Sequence, residues 1–160
     1  MAGLEKKVRV CLWFQTGGLK AAEYYVSLLP DSRIDAVFEH GNAADPMVVE
    51  FTLGGAPMMI LTAGDMYKLT PAASISVLTK DQAETDRLWA ALLEGGGQES
   101  MCGWLEDRFG VAWQIVPEVL PRLINDADRA AGMRAQQAML TMRKIDIAAI
   151  EAAFAGEAVQ

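Results

Sequence analysis

The chain has 160 residues, 52% hydrophobic and 22% charged, which suits one folded domain with a sizeable core and argues against wholesale disorder. Its 21 acidic and 14 basic residues leave a net charge of -7, a field that opposes nonspecific contact with a phosphate backbone; no basic stripe offsets it, so no nucleic-acid partner is expected. Apolar runs such as Ala56 to Leu61 are too short to span a bilayer, so no membrane partner is expected either.

The amino end carries Lys6 and Lys7 but no convincing export signal, and the expected location is cytoplasmic. Cys11 and Cys102 are accordingly expected as reduced thiols. Net charge does not exclude an anionic small molecule, because local positive groups can still face a pocket.

Val8 to Gln15 reads as a strand with Val8, Val10, Leu12 and Phe14 on one face and Arg9, Cys11, Trp13 and Gln15 on the other. After Gly17-Gly18, a helix places Ala22, Tyr25, Val26 and Leu29 on one stripe and ends at Pro30. Arg33 to Glu39 alternates Ile34, Ala36 and Phe38 against Asp35, Val37 and Glu39, and His40 to Pro46 reads as a loop. Met47 to Leu53 and Pro57 to Thr62, joined through Gly54-Gly55, complete a βαβββ order, and Ala63 to Pro71 reads as a connecting loop.

The order then repeats. Ala73 to Thr79 is a strand with Ile75, Val77 and Thr79 opposite Ser74, Ser76 and Leu78. Asp81 is a helix cap, with Glu84 placed to return a bond to the cap's own amide, and Thr85, Leu88, Trp89 and Leu92 share a helical face. Gly95-Gly96-Gly97 stops the helix, a short strand covers Glu99 to Cys102, Leu105 to Gly110 turns, and Val111 to Val116 is a strand. The modules therefore run over about 8–62 and 73–116 of a single domain, 1–160. Opposing the two units would supply a curved cavity as well as a core.

A helical tail follows, over about 117–156. Pro117 starts a short helix, Asp128 caps one carrying Ala135, Ala138, Met139 and Met142, and Asp146 caps one carrying Ile147, Ile150 and Phe154 before Gly156.

Few residues suggest chemistry. Cys102 has no base nearby in sequence, since the one histidine, His40, lies more than sixty residues away, and a structural cysteine is the commoner case. One histidine and two separated thiols give no zinc spacing. The glycine pairs continue into neither a phosphate loop nor a dinucleotide fingerprint, so ATP, NAD and a Rossmann-type methyltransferase are not implied. Glu106-Asp107 reads as a solvated turn, with Arg108 free to pair with either acid or with a substrate anion. Gln114 stands mid-strand with Ala112 and Val116, its neighbours Trp113 and Ile115 turned the other way. An amide there suits either a wet, exposed face or a ligand-lined one, and Gln15 poses the same question.

The segments CLWF, AAEYYVSLLPDSRI, FTLGG, DQAETDRLW, CGWLEDRFGVAWQIVP and AMLTMRKIDIAAIEAAFAG, in that order over nearly the full chain, resemble the PhnB-like branch of the vicinal oxygen chelate superfamily. That superfamily includes glyoxalases, extradiol dioxygenases and antibiotic-resistance binding proteins, and this branch is often labelled a 3-demethylubiquinone-9 3-methyltransferase domain. The resemblance implies an α+β fold, two βαβββ modules forming a cupped mixed sheet with C-terminal helices, in a homodimer. The ligand set of metal-using relatives falls near Gln15, within Met58 to Thr62, and at Ser74 and Gln114, with no histidine or carboxylate among them. The expectation is a binder of an unidentified small molecule, or an enzyme of unknown reaction, with no metal and no assigned cofactor, its cavity lined by Trp13, Gln15, Ser74, Ser76 and Gln114. A metal-dependent glyoxalase or dioxygenase, a methyltransferase and a dimeric structural protein with a filled cleft are the alternatives.

Overall fold

A computed structural model describes residues 7–39 and 44–157; His40 and the start of its loop lie outside the described residues. Tertiary contacts divide the chain into two units, Met1–Leu69 and Thr70–Gln160. Together they carry the α+β architecture expected: two βαβββ modules, each with a mixed four-stranded sheet, followed by helices.

The first unit contains β1 (Val10–Phe14), α1 (Gly18–Leu28), β2 (Arg33–Phe38), β3 (Val48–Leu53) and β4 (Ala56–Thr62). Its strand order is β1-β4-β3-β2, with β1 parallel to β4 and the other pairs antiparallel. Strand β1 is shorter than Val8 to Gln15, and at its carboxyl end the partner strand β4 runs out. Val10 stands opposite Met58 and Phe14 opposite Thr62, so Val8 falls level with the start of β4 and Gln15 beyond its end.

Helix α1 buries Ala21, Ala22 and Tyr25, and the sheet face beneath it carries Leu12, Phe14, Val49, Phe51, Met58 and Ile60, all buried. Each large side chain so buried contributes roughly 1.5–3 kcal/mol. Gly18 permits this close seating: a Cβ there would collide with Thr62 Oγ1 and lie 2.6 Å from Ile60 Cγ2.

Strand β2 departs from simple alternation. Its register with β3 shifts between Ile34 and Ala36, so Ile34 stands opposite Phe51 on the helix side while Ala36 and Phe38 stand opposite Glu50 and Val48 on the other. The expected shared face of Ile34, Ala36 and Phe38 is therefore split, as an extra residue in one strand inverts every side chain beyond it.

The second unit begins with β5 (Ser74–Thr79), α2 (Gln82–Leu93), β6 (Gln98–Glu99), β7 (Trp104–Glu106) and β8 (Ala112–Pro117), in sheet order β5-β8-β7-β6. Asp81 Oδ1 accepts from the Glu84 amide at 2.8 Å, a cap worth about 1 kcal/mol. Glu84 returns its bond one residue earlier than expected, accepting from the Lys80 amide. Thr85, Leu88, Trp89 and Leu92 are all buried, and Thr85 and Thr79 share a 2.6 Å hydroxyl bond between helix and sheet.

The expected strand Glu99 to Cys102 ends at Glu99. Cys102 and Gly103 both have positive φ, and the chain turns back through Ser100 N to Trp104 O at 2.9 Å, delivering Trp104 into β7. Pro117 closes β8, opposite Thr79, and the helix expected from it begins at Val119.

The tail comprises α3 (Val119–Ile124), α4 (Arg129–Leu140) and α5 (Ile147–Ala155). Asp128 and Asp146 cap α4 and α5 through the amides of Ala131 and Ala149, each at 3.0 Å. Leu120, Ala135, Ile145 and Ile150 form a small core, joined by Ala138, Met139, Met142, Phe154 and, from β8, Val116. The 142–147 segment is bonded to the second module by Cys102 N to Met142 O at 2.8 Å and Gly103 N to Arg143 O at 2.7 Å. Gln82 also accepts from Ile147 N at 2.8 Å. Among the described residues no helix is long and apolar enough to cross a membrane.

Candidate functional site

In each module the residues of interest stand on the sheet face away from the module's own helix. In the first, the register puts Cys11, Trp13, Met59, Leu61, Glu50 and Thr52 on that face. Trp13 is half-buried and held twice: its indole nitrogen donates to Gly64 O at 2.8 Å, and its ring meets Tyr67 edge-on at 4.9 Å. The loop after β4 thus fixes the tryptophan in place. Gln15 is exposed, one residue past the strand.

A polar pair on this face has no counterpart in the sequence reading. Arg9 reaches Glu50 at 3.0 Å, with the Glu50 side chain only 9% exposed. Alternation alone gave no hint of it, because partners separated by an intervening strand can be recognised only once the sheet order is known. Thr52 beside it donates to Asp35 Oδ2 at 2.7 Å. Cys11 presents accessible surface, yet desolvation by the sheet pushes its thiol above the ordinary value; the Leu61 backbone and the Arg9 charge pull more weakly the other way. Such a thiol is not activated as a nucleophile.

In the second module Ser74, Ser76, Gln114 and Trp104 share the face away from α2. Gln114 Nε2 donates to Ser74 Oγ at 2.8 Å, and Ser76 stands directly opposite Gln114 in the parallel register. Gln114 and Ser74 are half-buried and Ser76 is exposed. Val116, on the same face, packs into the tail's core, so the tail covers one end of this surface. The structure therefore brings Ser74, Ser76 and Gln114 together on one sheet and places Trp13 and Gln15 in the other unit.

The turn after β7 is not the solvated carboxylate pair expected. Glu106 is exposed, but Asp107 is 3% exposed and accepts from Trp113 Nε1 at 2.8 Å and from the amides of Phe109 and Val111. This carboxylate organises the turn. Arg108 lies over the Phe109 ring at 4.8 Å and donates to Glu94 O. Cys102, at positive φ, serves the backbone junction with the tail.

Gly17-Gly18 lies between a first strand and helix, where a nucleotide cofactor would need room. Here Gly17 N donates to both oxygens of Asp45, at 3.0 and 3.1 Å, and Gly18 is packed on β4. A phosphate would meet a carboxylate at this helix start.

The donors at the metal positions implied by the sequence resemblance do not fit a resident cation. They are the amides of Gln15 and Gln114, the Ser74 hydroxyl already bonded to Gln114, and a β4 segment of Met58, Met59, Ile60, Leu61 and Thr62. Neutral oxygens of this kind, without a carboxylate or imidazole, lack the charge and basicity a tightly held metal requires. Among the described residues no group of three or more His, Cys, Asp or Glu is arranged to hold one.

Paired βαβββ modules define the class: a glyoxalase/bleomycin-resistance-type fold of the vicinal oxygen chelate superfamily. The model of the family described as 3-demethylubiquinone-9 3-methyltransferase matches residues 6–116, and the chain belongs to that family, as a PhnB-like member. A solved PhnB protein from Bacillus cereus, described as a 3-demethylubiquinone-9 3-methyltransferase, is similar at 25% identity and TM-score 0.64, covering 70% of this chain and 99% of that one. Protein PA1353 from Pseudomonas aeruginosa is similar at 25% identity and TM-score 0.59, covering 71% and 98%. The fosfomycin resistance protein FosX from Mesorhizobium loti, at 12% identity and TM-score 0.50 over 71% and 92%, shares the fold. No curated protein matches the chain. The tail helices lie beyond the family match.

Proposed function

We propose that the chain binds a small polar molecule against the helix-free faces of its sheets, as a cytoplasmic homodimer. The observation that carries this reading is the Gln114–Ser74 pair: a half-buried amide and hydroxyl bonded to each other between β8 and β5, with Ser76 opposite Gln114. Gln114 spends one of its two amide protons on Ser74, leaving a further donor and a carbonyl acceptor to orient a ligand. On the first module's own helix-free face, Trp13, held by Gly64 and Tyr67, gives a rigid apolar surface, with Gln15 exposed just past the end of its strand.

Whether the bound molecule is converted is the second question, and the family's description favours asking it of methyl transfer. Purified protein is to be incubated with a metabolite extract, washed, and its retained small molecules identified by mass spectrometry, with and without added S-adenosylmethionine. A ligand returned intact supports binding, and a ligand returned 14 mass units (about one CH₂) heavier supports methyl transfer. Retention of nothing beyond a boiled control contradicts both, and light scattering checks the dimer.

A further inference from the structure

Where the tail meets the second module a cleft of about 540 Å³ opens among the start of α2, α3 and the start of α5. Its lining includes Lys80, Gln82 and Asp86 on one side and Val119, Arg122, Lys144, Ile147 and Glu151 on the other. This volume lies within the size range of small-molecule sites. Seven of its eleven lining residues lie beyond the family match.

The cleft's lining carries four carboxylates and three cations, and three of the carboxylates are already hydrogen-bonded or ion-paired within the protein. Asp81 accepts from Glu84 N, Asp146 accepts from Ala149 N, and Asp86 is bonded to Lys144 at 2.7 Å and to Gln82 at 2.9 Å. Gln82 in turn holds Ile145 O and Ile147 N, which fixes the wall between the two elements. Lys80 and Arg122 have no carboxylate partner among the described residues. Arg122 uses only Nε, at 3.3 Å to Glu118 O, so both terminal nitrogens of its guanidinium fork remain available. Opposing them is one uncommitted acid, Glu151.

We propose that this cleft binds a small acid-bearing metabolite, carboxylate or phosphate, on Arg122 and Lys80, at a site separate from the sheet faces. A planar guanidinium fork receives either acid group bidentately, Lys80 adds a point charge, and Val119 and Ile147 give an apolar floor. A molecule held there contacts both the module and the tail, so its binding stabilises their junction by mass action.

The test uses inorganic phosphate and succinate as separate probes, at low ionic strength against chloride matched for ionic strength. Melting temperature and the amide resonances of Ile147 and Ala148 are the readouts. The expected result is a rise in melting temperature and saturable shifts at those two amides with at least one probe. Arg122→Ala with Lys80→Ala should weaken binding at least tenfold, and Glu151→Gln, which removes the opposing charge, should strengthen it. All three side chains are exposed, so the variants are expected to fold, and unchanged unliganded spectra check this. Response to one probe alone identifies the acid class. No response to either, or equal binding by the wild type and the double variant, overturns the proposal. Gln114→Leu should leave this binding unchanged, which separates its failure from failure of the sheet-face reading.

Discussion

Trp113 and Asp107 are joined in the core of the second module by a 2.8 Å bond from the indole nitrogen to Oδ2, with side chains 1% and 3% exposed. The other carboxylate oxygen accepts from the amides of Phe109 and Val111, at 2.8 and 3.0 Å. One acid therefore ties β8 to the turn that precedes it. Asp107→Asn keeps the shape but places an amide N–H₂ against one set of donors, so unfolding free energy should fall by about 2–3 kcal/mol. Denaturant unfolding followed by tryptophan fluorescence measures this; a change below about 0.5 kcal/mol would mean the bond is not needed.

Gly18 is the corresponding tight point of the first module. Adding one methyl puts it against Thr62 Oγ1 and Ile60 Cγ2, both on a strand fixed between two neighbours. Gly18→Ala should cost about 1–3 kcal/mol despite the better helix propensity of alanine. Thermal unfolding would show it, and Gly17→Ala, where a Cβ meets nothing within 4 Å but φ is +78°, separates backbone strain from collision.

Two carboxylates at the tail junction give a pH signature. Asp86 is held below its usual range by hydrogen bonds from Lys144 and then Gln82, and Glu99 by the Trp89 indole and then by Arg143. Their folded-state values lie below their unfolded ones, so the stabilisation is fully present above the ordinary carboxylate range and is lost as pH falls through the depressed values. Both groups are exposed, which makes the slope shallow and salt-sensitive. Melting temperatures from pH 6 to about pH 3 should decline less steeply for Asp86→Asn with Glu99→Gln than for the wild type. Parallel profiles would contradict this.

Strand faces were legible wherever alternation was unbroken. Ile75, Val77 and Thr79 face α2 and Ser74, Ser76 and Leu78 face away, as period two requires. In β2 the register shift at Ile34/Ala36 left no compositional trace, and alternation misplaced Ala36 and Phe38. Asp107 looked like any turn acid, because only the fold brings Trp113 Nε1 to it across the turn. The same holds for Arg9 and Glu50, which meet across β4. Sequence thus showed which residues could share a face, whereas partners brought together by sheet order, and Val116 beneath the tail, required coordinates.

The most direct test of the central reading is metabolite capture by the wild type alongside Gln114→Leu. The substitution removes the donor to Ser74 Oγ and the remaining polar valences of the amide at similar volume. The wild type is expected to retain a polar small molecule that Gln114→Leu binds at least tenfold more weakly, with folding and oligomeric state unchanged. Equal retention by the two proteins would contradict a ligand on this face.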